Sequence, residues 1–144
     1  MTVIIMSIKI KVKRVYIKPE FSDGERILVE NFWPRGVRRS SVNIDTWFKN
    51  MGPSDELRKW FGHDNSKWES FVKKYRKEID CNRGVEKLME HIINVQTVTF
   101  VYATGDEKHN SAIILAWAIE ERIKLLKFMA GRKGMQDIKE QVVE

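Results

Sequence analysis

Two short segments of this chain are apolar at nearly every position. One is Ile27-Leu28-Val29 within residues 26–32, and the other runs from Thr97 to Ala103. A strand with one wet face alternates apolar and polar residues, so strands without alternation are covered on both sides. The residues between the two segments carry helical spacing. A chain that leaves one buried strand, forms helices and returns to another makes a crossover, which sets the two strands parallel. These features predict an α/β fold, a single domain over residues 1–126 with a small, mostly parallel sheet flanked by helices. A chain of 144 residues is long enough for one such core.

The rest of the pattern fits that frame. Residues 8–17 alternate, with Ile8, Ile10 and Val12 on one face and Lys9, Lys11 and Lys13 on the other. This reads as a half-exposed strand with a solvated lysine face, and the change of phase at Val15 predicts a bulge near Lys13-Arg14. Pro34 stops the strand that begins at Arg26, and Gly36 permits a sharp turn. A short helix is expected over Asn43–Met51, burying Ile44, Trp47 and Phe48. Ser54 is placed to cap the next helix and Gly62 to end it. Ser66 and Glu69 have the spacing of a capping box, followed by Trp68, Phe71, Val72, Tyr75 and Ile79 on one helical face. A further helix presents Val85, Leu88, Met89, Ile92 and Ile93. Residues 112–119 are apolar nearly all round and predict a buried helix. Residues 127–144 are charged, contain Gly131 and Gly134, and are expected to form a short helix or a loosely ordered tail.

Net charge is +6, which permits contact with nucleic acid or anionic small molecules without selecting either. Cys81 is the sole cysteine, so an intramolecular disulfide is excluded. It sits in a turn-like stretch and reads as incidental. The expected location is cytoplasmic, with no membrane partner and no cofactor. The apolar start, Met1 to Met6, is too short for a signal segment, and the first five residues read as a dispensable extension.

Three blocks carry a resemblance. They are ILVENFWPRGV at 27–37, the stretch from Ile44 to Ile79 containing PSDELRKWFGHD, and VTFVYATGDEKHNSAIIL at 98–115. Together they are similar to the domain-of-unknown-function 488 (YeaO-like) family. The resemblance implies the α/β fold and no defined activity. The chain departs from the family pattern at Glu30-Asn31, where an Asp-Arg pair is usual, and at Gly105, where a basic residue is common.

Candidate functional residues follow from where the strands end. In open α/β sheets ligands bind beyond the carboxyl ends of strands. Arg35 follows one buried strand; His109 and Asn110 follow the other and open the last helix, whose free N–H groups attract anions. Arg35 is suited to a bidentate grip on carboxylate or phosphate. An anion pocket formed by Arg35, His109 and Asn110 is therefore expected, with Trp33, Arg58 and His63 as further ligand-binding candidates and His109 as the candidate catalytic residue. The competing expectation pairs Arg35 with Asp106 or Asp45 as a structural tie. His63-Asp64 lacks companion ligands for a metal site, so none is expected. Instead His63 is expected at a helix end and Asp64 as a cap. His91 reads as solvent-facing. Most of the tryptophans read as core, with Trp33 the exception. Walker, Rossmann, nucleophile-elbow and HExxH patterns are absent. Two functions then compete: a binder of an anionic small molecule, with or without catalysis, and a basic nucleic-acid-binding module. A pure interaction protein is the third reading, and a homodimer through an open sheet edge accords with any of them.

Overall fold

The structure, a computed structural model, describes residues 8–143, with side chains as far as residue 132. Four strands form one sheet in the order β1-β4-β2-β3: β1 Ile10–Arg14, β2 Glu25–Leu28, β3 Thr46–Trp47 and β4 Val98–Tyr102. Every pairing is parallel; Val98 lies between Ile10 and Glu25, and Leu28 faces both Val101 and Trp47. The expected crossover is therefore present. β4 is buried along its whole length because it has neighbours on both sides and cover on both faces.

Helices α1 Asp55–Phe61, α2 Trp68–Cys81, α3 Gly84–Val95 and α4 Ser111–Val143 all contribute to one core with Ile10, Ile27, Val29, Val98, Phe100 and Tyr102. The opposite sheet face buries Leu28 and Val101 with Val15 and Ile44, packed against Trp33 and Val37 from the loop after β2 and Trp47 of β3. Among the described residues no helix is long and apolar enough to cross a membrane.

Several local expectations change. The segment 43–51 forms no helix. Asp45 and Phe48 donate backbone hydrogen bonds to Arg26 and Leu28, and Thr46-Trp47 add an edge strand to β2. Sheet hydrogen bonds to β2 outcompete a short helix that lacks a cap. The expected bulge at Lys13-Arg14 is the end of β1. A turn follows, and Val15 N–H still reaches the Tyr102 carbonyl at 2.7 Å. The lysine face of β1 is not simply solvated, because Lys11 and Lys13 both bond the fully buried Asp23.

Caps are mixed in outcome. Ser54 Oγ accepts from Leu57 N–H, and Gly62 ends α1 in the left-handed conformation at φ 54°. The Ser66–Glu69 capping box does not form. Asp64 takes the capping role one turn earlier, accepting from the N–H and hydroxyl of Ser66 across a short 3-10 turn, Asn65–Lys67. The strand expected to run to Pro34 ends earlier, at Leu28, where its pairing with β4 and β3 stops, and Gly36 turns the following loop at φ 80°. Trp60 and Trp117 are exposed rather than core. Residues 127–143, expected as a short helix or loose tail, continue α4. The extension at residues 1–5 lies outside the described residues.

Candidate functional site

The parallel arrangement puts the ends of all four strands on one edge. β2 and β4 are neighbours, yet the chain leaves them in opposite directions. After β4 it enters α4, which packs back over β4 and β1. After β2 it crosses the other face to reach β3. Chain departures of this kind open a crevice between the two strands.

A cleft of about 390 Å³ lies there. Its walls are Glu30, Asn31 and Phe32 after β2; Gly52 and Pro53 before α1; Arg58, Lys59, Phe61, Gly62 and His63 at the end of α1; and Thr104, His109, Asn110 and Ser111 around the start of α4, with Phe71 from α2. Phe61 stacks on Phe71 with centroids 4.2 Å apart and gives the cleft an apolar wall. Arg58 is exposed, lies 5.3 Å from the Phe32 ring centroid and meets Asp55 only at 3.5 Å. Such a long exposed pair contributes little and leaves the guanidinium available.

The α4 entrance is rigidly built. Asn110, 4 % exposed, accepts from Ile113 N–H with its side-chain oxygen and donates to the Asp106 carbonyl with its amide. Asp106 accepts from the N–H groups of Lys108 and His109 and from His109 Nδ1 at 3.1 Å. Desolvation pushes the Asp106 carboxyl up, but these hydrogen bonds outweigh it and hold it below the usual carboxylate range. His109 also packs edge-on against Trp68 at 5.0 Å. Its ring is thus fixed on two sides. The N–H groups of Ser111 and Ala112 stand in the first turn, where a helix offers them no internal partner.

His63 stands at φ 58° beside Gly62, a left-handed backbone costing a non-glycine residue about 1 kcal/mol. Among the described residues no cluster of His, Cys, Asp and Glu is arranged to hold a metal ion. His91 is not solvent-facing. It is half-buried, bonded to Glu25 at 2.8 Å and packed edge-on against Phe48. Cys81 is exposed.

The structure therefore brings Arg58, His63, His109 and Asn110 to one cleft, and leaves Trp33 and Arg35 outside it. Arg35 is exposed, its carbonyl accepting from the Tyr16 hydroxyl at 2.7 Å. It pairs with neither Asp106 nor Asp45; Asp45 receives the Arg26 N–H instead. Trp33 donates its indole N–H to the Val37 carbonyl and packs edge-on against Trp47.

Asn31 and Glu30, noted in the sequence only as departures from the family pattern, also line the cleft. Asn31 clasps the approach to α1, donating to the Pro53 carbonyl and accepting from Gly52 N–H, both at 2.9 Å. Glu30 carries a carboxylate at the end of β2 that accepts from Ala103 N–H at 3.3 Å. Burial pushes the Glu30 carboxyl above the ordinary glutamate range, only partly offset by that bond. The signal was present: an acid two residues beyond a strand buried over Arg26–Leu28 enters the region where ligands bind. A raised folded-state value makes ionised Glu30 unfavourable, so stability is lost as pH rises above the ordinary glutamate value. Glu30→Gln keeps the acceptor without the charge. We expect it to stabilise the protein by about 0.5–1 kcal/mol at pH 8, with the gain vanishing near pH 4, as read by urea unfolding at both pH values.

Comparison with known proteins gives a consistent result. The family described as "Inactive DUF488-N3 subclade" matches residues 9–133. The uncharacterized protein YeaO of Escherichia coli K12 is 36% identical over 107 residues, covering 74% of this chain and 93% of that protein. The uncharacterized proteins Mb3100c of Mycobacterium bovis and Rv3073c of Mycobacterium tuberculosis H37Rv are each 31% identical over 114 residues, covering 79% of this chain and 96% of theirs. No solved structure matches the chain at a significant level. The match spans the sheet, the cleft and the first part of α4, and the chain belongs to the DUF488 family, within its DUF488-N3 inactive subclade.

Proposed function

We propose that this protein binds a small molecule with an apolar body and a phosphate or carboxylate group in the cleft beyond β2 and β4. The observation that carries the reading is the grouping of Arg58, Lys59, His63 and His109 with the first turn of α4 around a cleft walled by Phe32, Phe61 and Phe71. Cations and first-turn N–H groups attract an anion, and the phenylalanines shelter the rest of the ligand from water. Glu30, with its raised carboxyl value, offers a hydrogen-bonding group within the same cleft. The description of the subclade as inactive accords with binding rather than turnover. His109 then serves as a fixed ligand contact, held by Asp106 and Trp68.

The test uses phenyl phosphate, which combines an aromatic body with an anion. Calorimetric titration is expected to show binding to the wild-type chain. Arg58→Ala removes a charge-assisted contact and should weaken it about tenfold or more. Arg35→Ala, outside the cleft, should leave it unchanged. Equal affinity in the wild type and Arg58→Ala sinks the reading.

A further inference from the structure

The loop that carries the WPRG motif contributes only Glu30, Asn31 and Phe32 to the cleft, and its arginines lie elsewhere. They build a separate surface. Arg14 donates to the Ala103 carbonyl at 3.2 Å and lies 4.9 Å from the centroid of Tyr16. Tyr16, exposed, bonds the backbone of Arg35. Arg39 packs on the rings of both Trp33 and Trp47, at 4.3 and 5.0 Å, and Lys49 lies 5.4 Å from Trp47. Arg38 is exposed in the same loop. These contacts make two groups, Arg14 with Tyr16 and Arg35, and Arg39 with Trp33, Trp47 and Lys49, joined by the backbone of the loop 33–39.

Its charge is one-sided. Arg14, Arg35, Arg38, Arg39 and Lys49 carry five positive charges in a chain whose net charge is +6. Among the described residues no carboxylate forms an ion pair with any of them. Fold stability does not require such a grouping, since like charges repel. The aromatic rings give Arg14 and Arg39 fixed positions, which lowers the ordering cost of binding.

We propose that this surface binds single-stranded nucleic acid, with the arginines on successive phosphates and Tyr16 as a base-stacking platform. Cations interleaved with an exposed aromatic ring are the recurring design of sequence-tolerant strand binding. Four of the five cations are arginine, whose planar fork suits phosphate oxygens. The surface is made of loops, the end of β1 and the edge strand β3, so it offers no helix for a duplex groove. It is distinct from the cleft, and either site can fail without the other.

The test is fluorescence anisotropy with labelled oligo-uridylate of about 12 nucleotides, a length within typical strand-binding sites. Binding should weaken with salt, log K falling against log salt with a slope of about −2 to −3.5, as for three to five phosphates on a single strand. Arg35→Glu/Arg38→Glu should weaken binding about tenfold or more. Both side chains are exposed and bear no structural contacts, so this variant keeps its fold, which circular dichroism verifies. Lys73→Glu/Lys77→Glu, on the exposed side of α2, makes the same change in net charge and should leave affinity within about twofold, these positions lying away from the phosphate contacts. Equal loss in both variants, or no binding by the wild type, overturns the proposal. So do phosphatidylserine vesicles or heparin binding as tightly as the oligonucleotide with the same sensitivity to Arg35→Glu/Arg38→Glu.

Discussion

Replacing Arg26 with alanine should cost about 3–5 kcal/mol of stability, the range for breaking a buried ion pair from one side. Arg26 is 1 % exposed in the middle of the sheet, and Asp23 beside it is fully buried. The guanidinium donates to Asp23 Oδ2 at 2.7 Å, to the Asn43 carbonyl at 2.7 Å, and to the carbonyls of Val15 and Ile17 at 3.2 and 3.0 Å. One side chain thus ties β2 to the turn after β1 and to the approach to β3. Alanine removes the closest of the three cations bonded to Asp23, leaving Lys11 and Lys13, and takes the guanidinium donor from the Ile17 and Asn43 carbonyls, while the Val15 carbonyl keeps the Asn43 amide at 2.9 Å. Buried ion pairs elsewhere can be replaced by apolar pairs at little cost. That is not expected here, because Arg26→Met/Asp23→Leu still strands the carbonyls of Ile17 and Asn43 and takes from Lys11 and Lys13 the carboxylate they share. Urea unfolding of the two single variants and the double reads this directly. A loss below about 1 kcal/mol for Arg26→Ala, the level of an ordinary surface change, contradicts it.

Acid should act through the same cluster. Burial pushes the Asp23 carboxyl up, but hydrogen bonds from Lys13, the Glu20 N–H, Arg26 and Lys11 outweigh it and hold it well below the usual carboxylate range. A depressed folded value means that the contribution to stability is complete above the unfolded-state value, about 3.9, and is lost as pH falls below it. We expect a loss on the order of 2–3 kcal/mol between about pH 5 and pH 2 from this residue. Lys13, held above its ordinary amine value chiefly by its bond to Asp23, should lose that support in the same range. In Asp23→Asn the acid-dependent part of the unfolding free energy should flatten, while overall stability at pH 7 is lower. An unchanged slope of unfolding free energy against pH in that variant would show that other carboxylates govern acid unfolding.

The sequence made the parallel sheet legible because its evidence is local. Unbroken apolar runs at 27–29 and 97–103 report burial on two faces, and helical spacing between them reports the crossover. Ser54 and Gly62 were legible for the same reason, since a cap acts within one turn. What stayed hidden depends on distant partners. Arg26 looked like the polar start of a strand, because its four acceptors come from residues 15, 17, 23 and 43. Residues 43–51 looked helical because pairing of Thr46-Trp47 with β2 leaves no periodic trace in two residues. Of the cleft, the α4 side was legible from His109-Asn110, an opening to a helix after a buried strand. The Arg35 side was not. Tyr16 holds the Arg35 backbone on the loop surface, and nothing near Arg35 in sequence reports that contact. Arg58 reached the cleft from the end of α1, where helix-end electrostatics alone already explained a cation.

Amide chemical-shift mapping during a phenyl phosphate titration tests the cleft most directly, because it reads position as well as affinity. The largest shifts should fall on the end of α1, residues 58–63, and on residues 104–112 at the entrance to α4, and they should shrink in Arg58→Ala. Shifts confined to residues 14–16 and 35–49, or no shifts at millimolar ligand, would contradict an anion site between β2 and β4.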